Sequence, residues 1–228
     1  MNLVAVILMI SQCGQYTVDQ PNTRALGHGE YGATLRFGPS GGVLGYFGVG
    51  VLDRFSFGLS LGGANVLGSE DLELYNPGVQ IKAQILTGGL LAPEWAVGFD
   101  NQGFGSRGGG RYMIKSKGFY STVGKGFDFG GGEFYINGGL NYTLENDDES
   151  SLDIFFGQEL AIMDQFALLA EYNPALNDPR AGNGGYLNAA LRIRLAESVV
   201  LDFALRDILG NSAEELNRLI KIGYQGSF

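Results

Sequence analysis

Histidine and cysteine are nearly absent from this 228-residue chain, which holds one of each, His28 and Cys13. A lone cysteine excludes an internal disulfide framework and any cysteine-built metal site. A lone histidine, in a Gly-His-Gly-Glu-Tyr run ahead of the first strand-like segment, leaves hydrolytic centres of the Ser-His or Asp-His kind without a well-placed base. No catalytic residue, metal ligand or cofactor is therefore assigned. Basic residues are also scarce: 15 Lys and Arg face 24 Asp and Glu, a net charge of −9, which excludes the basic footprint of a nucleic-acid partner. No apolar run approaches the ~20 residues that a membrane helix needs. The glycine-rich stretch Gly103–Gly110 lacks the Lys-Ser/Thr ending of a phosphate loop and reads as a mobile external loop.

Glycine, by contrast, is abundant, at 38 residues, more than twice the usual share of about 7%. Without a Gly-X-Y period, that suits turns, kinks and tightly curved strands. The N-terminus carries an apolar run from Leu3 to Ile10, the length of a secretory h-region but without the usual preceding Lys or Arg. Residues 1–20 are read as a signal peptide or leader, 21–28 as a periplasmic segment and 29–228 as one domain. Ile10-Ser11-Gln12-Cys13 loosely resembles a lipobox, though Gln before Cys departs from that motif.

From Gly29 onward, apolar and polar residues alternate with period two, the mark of strands with one apolar face. Phe55, Phe57, Leu59 and Leu61 oppose Ser56, Gly58, Ser60 and Gly62; Leu187 to Leu195 and Val199 to Leu205 repeat the pattern. Twelve strands are expected, near 30–38, 42–52, 54–63, 78–87, 94–100, 111–127, 133–142, 152–160, 165–172, 186–195, 198–208 and 217–228, the sixth with a bulge near Lys117-Gly118. The links between them alternate short and long, apart from a short one in the first hairpin. This predicts an all-β fold: a single up-and-down antiparallel transmembrane β-barrel with short periplasmic turns and longer external loops. Phe57, Leu59, Ile81, Ile136, Leu191 and Phe203 should face lipid, with Ser60, Gln80, Asn137 and Arg192 inside. Two acidic stretches, Glu70 to Glu73 and Glu145 to Glu149, read as solvated loops, and Ser212 to Glu215 has a capping-box spacing.

The final residues, Arg218 to Phe228, form a strand that ends on an aromatic. Lys221, Gly223, Tyr224 and Phe228 resemble the C-terminal β-signal of Gram-negative outer-membrane barrels, with Gly226 standing where that pattern has a hydrophobic residue. The segments YGATLRF, GVGVLDRFSFGLSLGGANVLG, FALLAEYNPALND, YLNAALRIRL and VVLDFALRDIL resemble outer-membrane barrels of the exopolysaccharide-associated YjbH type. The resemblance implies an outer-membrane location and a barrel fold. It also implies contact with outer-membrane lipid and lipopolysaccharide, delivery by the barrel-assembly machinery, and envelope or polysaccharide-export partners.

The candidate functional residues are inward charges. Tight linkage around Glu197 should pair the tenth and eleventh strands so that Arg192 opposes Asp202, with Lys221 approaching from the twelfth. Arg206 and Glu171 share the inward parity and should lie nearer the outer rim. Two functions remain open at this level: a narrow channel for small polar solutes or ions, and a closed barrel that serves envelope assembly or exopolysaccharide export.

Overall fold

The computed structural model describes residues 15–145, 152–163, 165–182, 184–211 and 217–228. Twelve antiparallel strands form an up-and-down barrel: Glu30–Phe37, Val43–Val51, Phe55–Ala64, Gly78–Thr87, Glu94–Asp100, Gly118–Phe129, Gly132–Tyr142, Leu152–Ile162, Phe166–Asn173, Tyr186–Ala196, Val199–Arg206 and Asn217–Ser227. Each pairs with its neighbours in sequence, and the last closes on the first, with Tyr31 opposite Gly226 and Phe37 opposite Ile220. Closure removes both sheet edges.

Alternation in the sequence becomes two faces of one wall. Phe57, Leu59, Ile81, Ile136, Leu191 and Phe203 point outward and remain 37–60% exposed. Ser60, Gln80, Asn137 and Arg192 point inward and are buried. The interior is accordingly polar, and the apolar side chains form a band around the outside, the reverse of a soluble sandwich. Inward rings are accommodated by wall glycines: Tyr46 lies over Gly48 and Gly58, and Tyr135 over Gly124.

One end of the barrel carries short links and the other the long ones with the short 38–42 link; these are its turn end and loop end. At the loop end the sequence expectation for the sixth strand needs correction. That strand starts at Gly118, not at 111, and its expected bulge is a break in the wall. Gly118 has φ of 62°, and a Cβ there would stand 2.1 Å from the Tyr142 carbonyl oxygen, so only glycine makes the turn. Arg111–Ile114 instead pairs with Phe104–Gly108 as a hairpin within the loop. A two-stranded ribbon has the same period as a wall strand, so alternation alone does not mark the break. The loop is exposed at its tip, residues 106–110, and anchored at its base. Arg111 is buried and bonded to Asp178 at 2.6 and 3.0 Å.

The described N-terminal residues enter the barrel from the turn end: His28 is exposed there, and residues 17–23 are buried inside the wall. A polar Thr-Val-Asp-Gln-Pro-Asn-Thr run suits a polar lumen as well as it suits water, so composition does not separate the two. Cys13, the Leu3–Ile10 run and the Ser212–Glu215 spacing lie outside the described residues.

Candidate functional site

The lumen is built around this N-terminal segment. Residues 15–22 form a tight hairpin: the Thr17 N–H donates to the Gln20 carbonyl at 2.9 Å, and the Asn22 N–H donates to the Gln15 carbonyl at 3.1 Å. At the tip, three successive backbone N–H groups converge on one carboxylate. Val18, Asp19 and Gln20 each donate to Glu171 Oε2 at 2.9 Å, and Asn188 Nδ2 donates to Oε1 at 2.6 Å. Convergent amides make an anion-binding concavity, here filled by a wall side chain.

Asp19 itself reaches a neighbouring stretch of wall, where it is ion-paired with Arg36 and, at 2.6 Å, with Arg206 Nε. Both guanidiniums lie over the Phe104 ring, at 4.3 and 4.8 Å from its centroid. Phe104 comes from the loop hairpin, so that loop contributes to the lumen wall. Burial alone would raise the Asp19 carboxyl, but Arg206, Arg36 and Lys221 outweigh it and lower the carboxyl to about 2.

The same segment is also held by charges on other strands. The Lys82 ammonium donates to the Gln15 and Arg24 carbonyls at 2.7 and 3.1 Å. Arg24 meets Glu159 at 3.2 Å and Glu133 at 3.6 Å, with its guanidinium 4.2 Å from the Tyr135 centroid. Tyr16 Oη donates to Asp100 Oδ2 at 2.8 Å. Space for the segment depends on missing side chains: a Cβ on Gly157 would meet Thr17 Oγ1 at 2.7 Å, and one on Gly50 would meet the Gly27 carbonyl oxygen at 1.9 Å.

The sequence-predicted charges fall into two groups. Arg192, Asp202 and Lys221 come together on the wall, with Arg192 Nε 2.8 Å and Lys221 Nζ 2.9 Å from the Asp202 carboxylate. Register explains this: Arg36 opposes Lys221, Lys221 opposes Asp202, and Asp202 opposes Arg192, a row across four adjacent strands. Glu171 and Arg206 join the N-terminal hairpin instead. Of the C-terminal pattern, Lys221 and Gly223 turn inward, while Tyr224 and Phe228 turn outward beside Tyr31 at 6.0 and 5.0 Å between centroids. His28 sits at the turn end, where its Nδ1 accepts the Leu52 N–H at 3.3 Å. Glu145 accepts the Tyr112 and Ser116 N–H groups at 2.8 and 2.7 Å, so it organises the loop hairpin.

Asp19, Arg36 and Phe104 are lumen residues that site reasoning from sequence passed over, whereas Lys82 is an inward charge by parity, as expected. Arg36 had the inward parity as its signal; Asp19 and Phe104 lie outside the wall strands and had none. Beside the hairpin remains a cavity of about 90 Å³ lined by residues including Tyr46, Ser60, Gln80, Arg36 and Lys221, enough for a few waters.

No protein-family model matches the chain, and no curated protein matches it in sequence. Among solved structures, the fold is similar to one described as KdgM porin, with TM-score 0.50 and 9% identity over 87% of this chain and 99% of that one. It is similar to the same extent to a structure described as NanC porin, with TM-score 0.50 and 8% identity over 87% and 99%. At such identity the likeness is one of fold.

Proposed function

We propose that the chain is an outer-membrane channel for small polar solutes or ions. The observation that carries this reading is the division of the wall: an apolar outer band and a polar, charge-bearing inner face in a closed barrel. A Lys or Arg on the lipid side at midplane would cost about 2–4 kcal/mol, and the wall keeps Lys82, Arg192 and Lys221 inside. The two porins named above share the fold, and their descriptions agree with this reading. On this reading the turn end is periplasmic, the loop end external, and the outer band meets lipid and lipopolysaccharide after delivery by the barrel-assembly machinery. The resemblance to exopolysaccharide-associated barrels adds an envelope or polysaccharide-export partner, which co-purification after cross-linking would identify.

Inside, charges of both signs on a narrow path select by electrostatic barrier and by width. The reading involves no catalytic step. Folded protein, recognised by migrating differently in SDS gels before and after boiling, should give discrete conductance steps in a planar bilayer. A heat-modifiable protein that is silent at every voltage, and stays silent when Asp19 is replaced by Asn, would overturn the channel.

A further inference from the structure

The N-terminal hairpin fills the lumen but belongs to no wall strand. Its bonds reach opposite sides of the barrel, from Asp100 to Arg192. No wall hydrogen bond would break if it left, because it joins the first strand only through Gly27-His28-Gly29, with Gly29 at φ of 76°. Its attachments are mainly ionic and polar. Asp19 sits between Arg36 and Arg206, Glu171 takes the tip amides, and Lys82 and Glu159 hold Gln15 and Arg24. Of its side chains at the buried tip, Val18 alone joins the small apolar cluster of the inner wall. On departure, water and counter-ions can take over the partners of these polar groups, which they cannot do for an apolar core. Beside the seated hairpin the barrel keeps a narrow cavity of about 90 Å³.

We propose that residues 15–26 are a displaceable plug, latched by Asp19 between Arg36 and Arg206, whose departure opens the channel. The proposal rests on the channel reading above. With the plug seated, the wall row of Arg36, Lys221, Asp202 and Arg192 borders a narrow cavity beside it; with it displaced, the row lines an open path. Loss of the Asp19 charge leaves two guanidiniums facing each other over Phe104 and removes the carboxylate that draws the tip to that wall. The plug requires the mature chain to retain Asp19.

The test uses the full chain with Cys13→Ser and a cysteine pair, Thr17→Cys with Gly157→Cys. A Cβ on Gly157 would stand 2.7 Å from Thr17 Oγ1, so a disulfide there locks the tip to the wall. If the glycine variant fails to fold by heat modifiability, Thr17→Cys with Asn137→Cys replaces it, across a contact of 3.4 Å. The oxidised protein should form the cross-link and conduct at least fivefold less than the same protein after reduction; Asp19→Asn should spend severalfold longer open than the parent. N-terminal sequencing of protein from outer membranes should begin at or before Gln15. A folded barrel that forms no cross-link in either pair, or a mature chain beginning after Asp19, overturns the plug. Equal conductance of oxidised and reduced forms overturns the plug and leaves the channel standing. Silence of the cross-linked, reduced and Asp19→Asn forms alike overturns both.

Discussion

Arg206 Nε stands 2.6 Å from Asp19 Oδ2, tying the eleventh wall strand to a segment that precedes the first. That contact separates two kinds of lumen charge. Arg192 and Lys221 are neutralised within the wall by Asp202. Arg36 and Arg206 have no other ion-paired carboxylate among the described residues, so their neutralisation depends on the N-terminal hairpin being in place.

Asp202→Ala should therefore shift ion selectivity toward anions. The substitution leaves Arg192 and Lys221 without their shared carboxylate, while Glu159, at 3.5 Å from Arg192 Nη1, compensates one of them in part. Removing one partner of a buried ion group costs about 3–5 kcal/mol, so a lower unfolding midpoint should accompany the change. The measurement is the reversal potential across a KCl gradient. A conducting variant with an unchanged anion-to-cation permeability ratio would sink the assignment of this cluster to selectivity.

Glu171→Gln probes the other side of the tip. Three backbone amides donate to one carboxylate, and a neutral amide supplies a single weaker acceptor and a nitrogen that faces donors. Hydrogen bonds to a charged group contribute about 1.5–3 kcal/mol each, and every 1.4 kcal/mol is tenfold in an equilibrium. Amide exchange at Val18, Asp19 and Gln20 should accelerate at least tenfold in the variant, while wall amides such as Leu191 keep their protection. Uniform acceleration throughout the wall would mean that Glu171 supports the barrel rather than the hairpin.

Much of the wall was legible in the sequence because a barrel strand writes its two environments into alternate residues. Parity placed Ser60, Gln80 and Arg192 inside, and the short link at Glu197 fixed the register that sets Arg192 opposite Asp202. What was not legible had no period to betray it. The hairpin Phe104–Gly108 with Arg111–Ile114 alternates like a wall strand, and only the left-handed backbone at Gly118 ends it. The run from Thr17 to Thr23 is polar with no repeat, and its partners, Glu171, Asn137 and Arg206, lie more than a hundred residues away along the chain. Long-range polar contacts of this kind leave no local trace.

Acid should loosen the hairpin through Asp19. Its carboxyl is lowered to about 2 from an ordinary value of 3.8, so the unfolded or released state binds the proton more readily than the docked one. The contribution is thus fully present above about pH 4 and is lost as pH falls toward 2. Protease cutting within residues 15–26 of the folded barrel, using an acid-active enzyme, should increase across that window. Other carboxylates titrate there too, so the quantity of interest is the difference from Asp19→Asn, which should be easily cut at every pH. Parallel curves for the two proteins would remove Asp19 from the latch.

Deletion of Phe228 should slow assembly far more than it weakens the finished barrel. In the folded chain the ring is 89% exposed, and its aromatic neighbour Tyr31 lies 5.0 Å away between centroids. Its one backbone tie is the N–H donated to the Gly29 carbonyl at 2.9 Å, next to a strand pair already closed by Tyr31 and Gly226. A single such bond contributes about 0.5–1.5 kcal/mol, a small part of what holds twelve paired strands. If Lys221, Gly223, Tyr224 and Phe228 act as a recognition signal for the assembly machinery, the loss appears in kinetics instead. The truncated protein should accumulate in the periplasm and reach the outer membrane severalfold more slowly in a pulse-chase. Purified and refolded in detergent, it should keep its heat-modifiable migration and lose only a few degrees in unfolding temperature. Equal outer-membrane yields of the two proteins at early times would show that the terminal aromatic serves the wall alone.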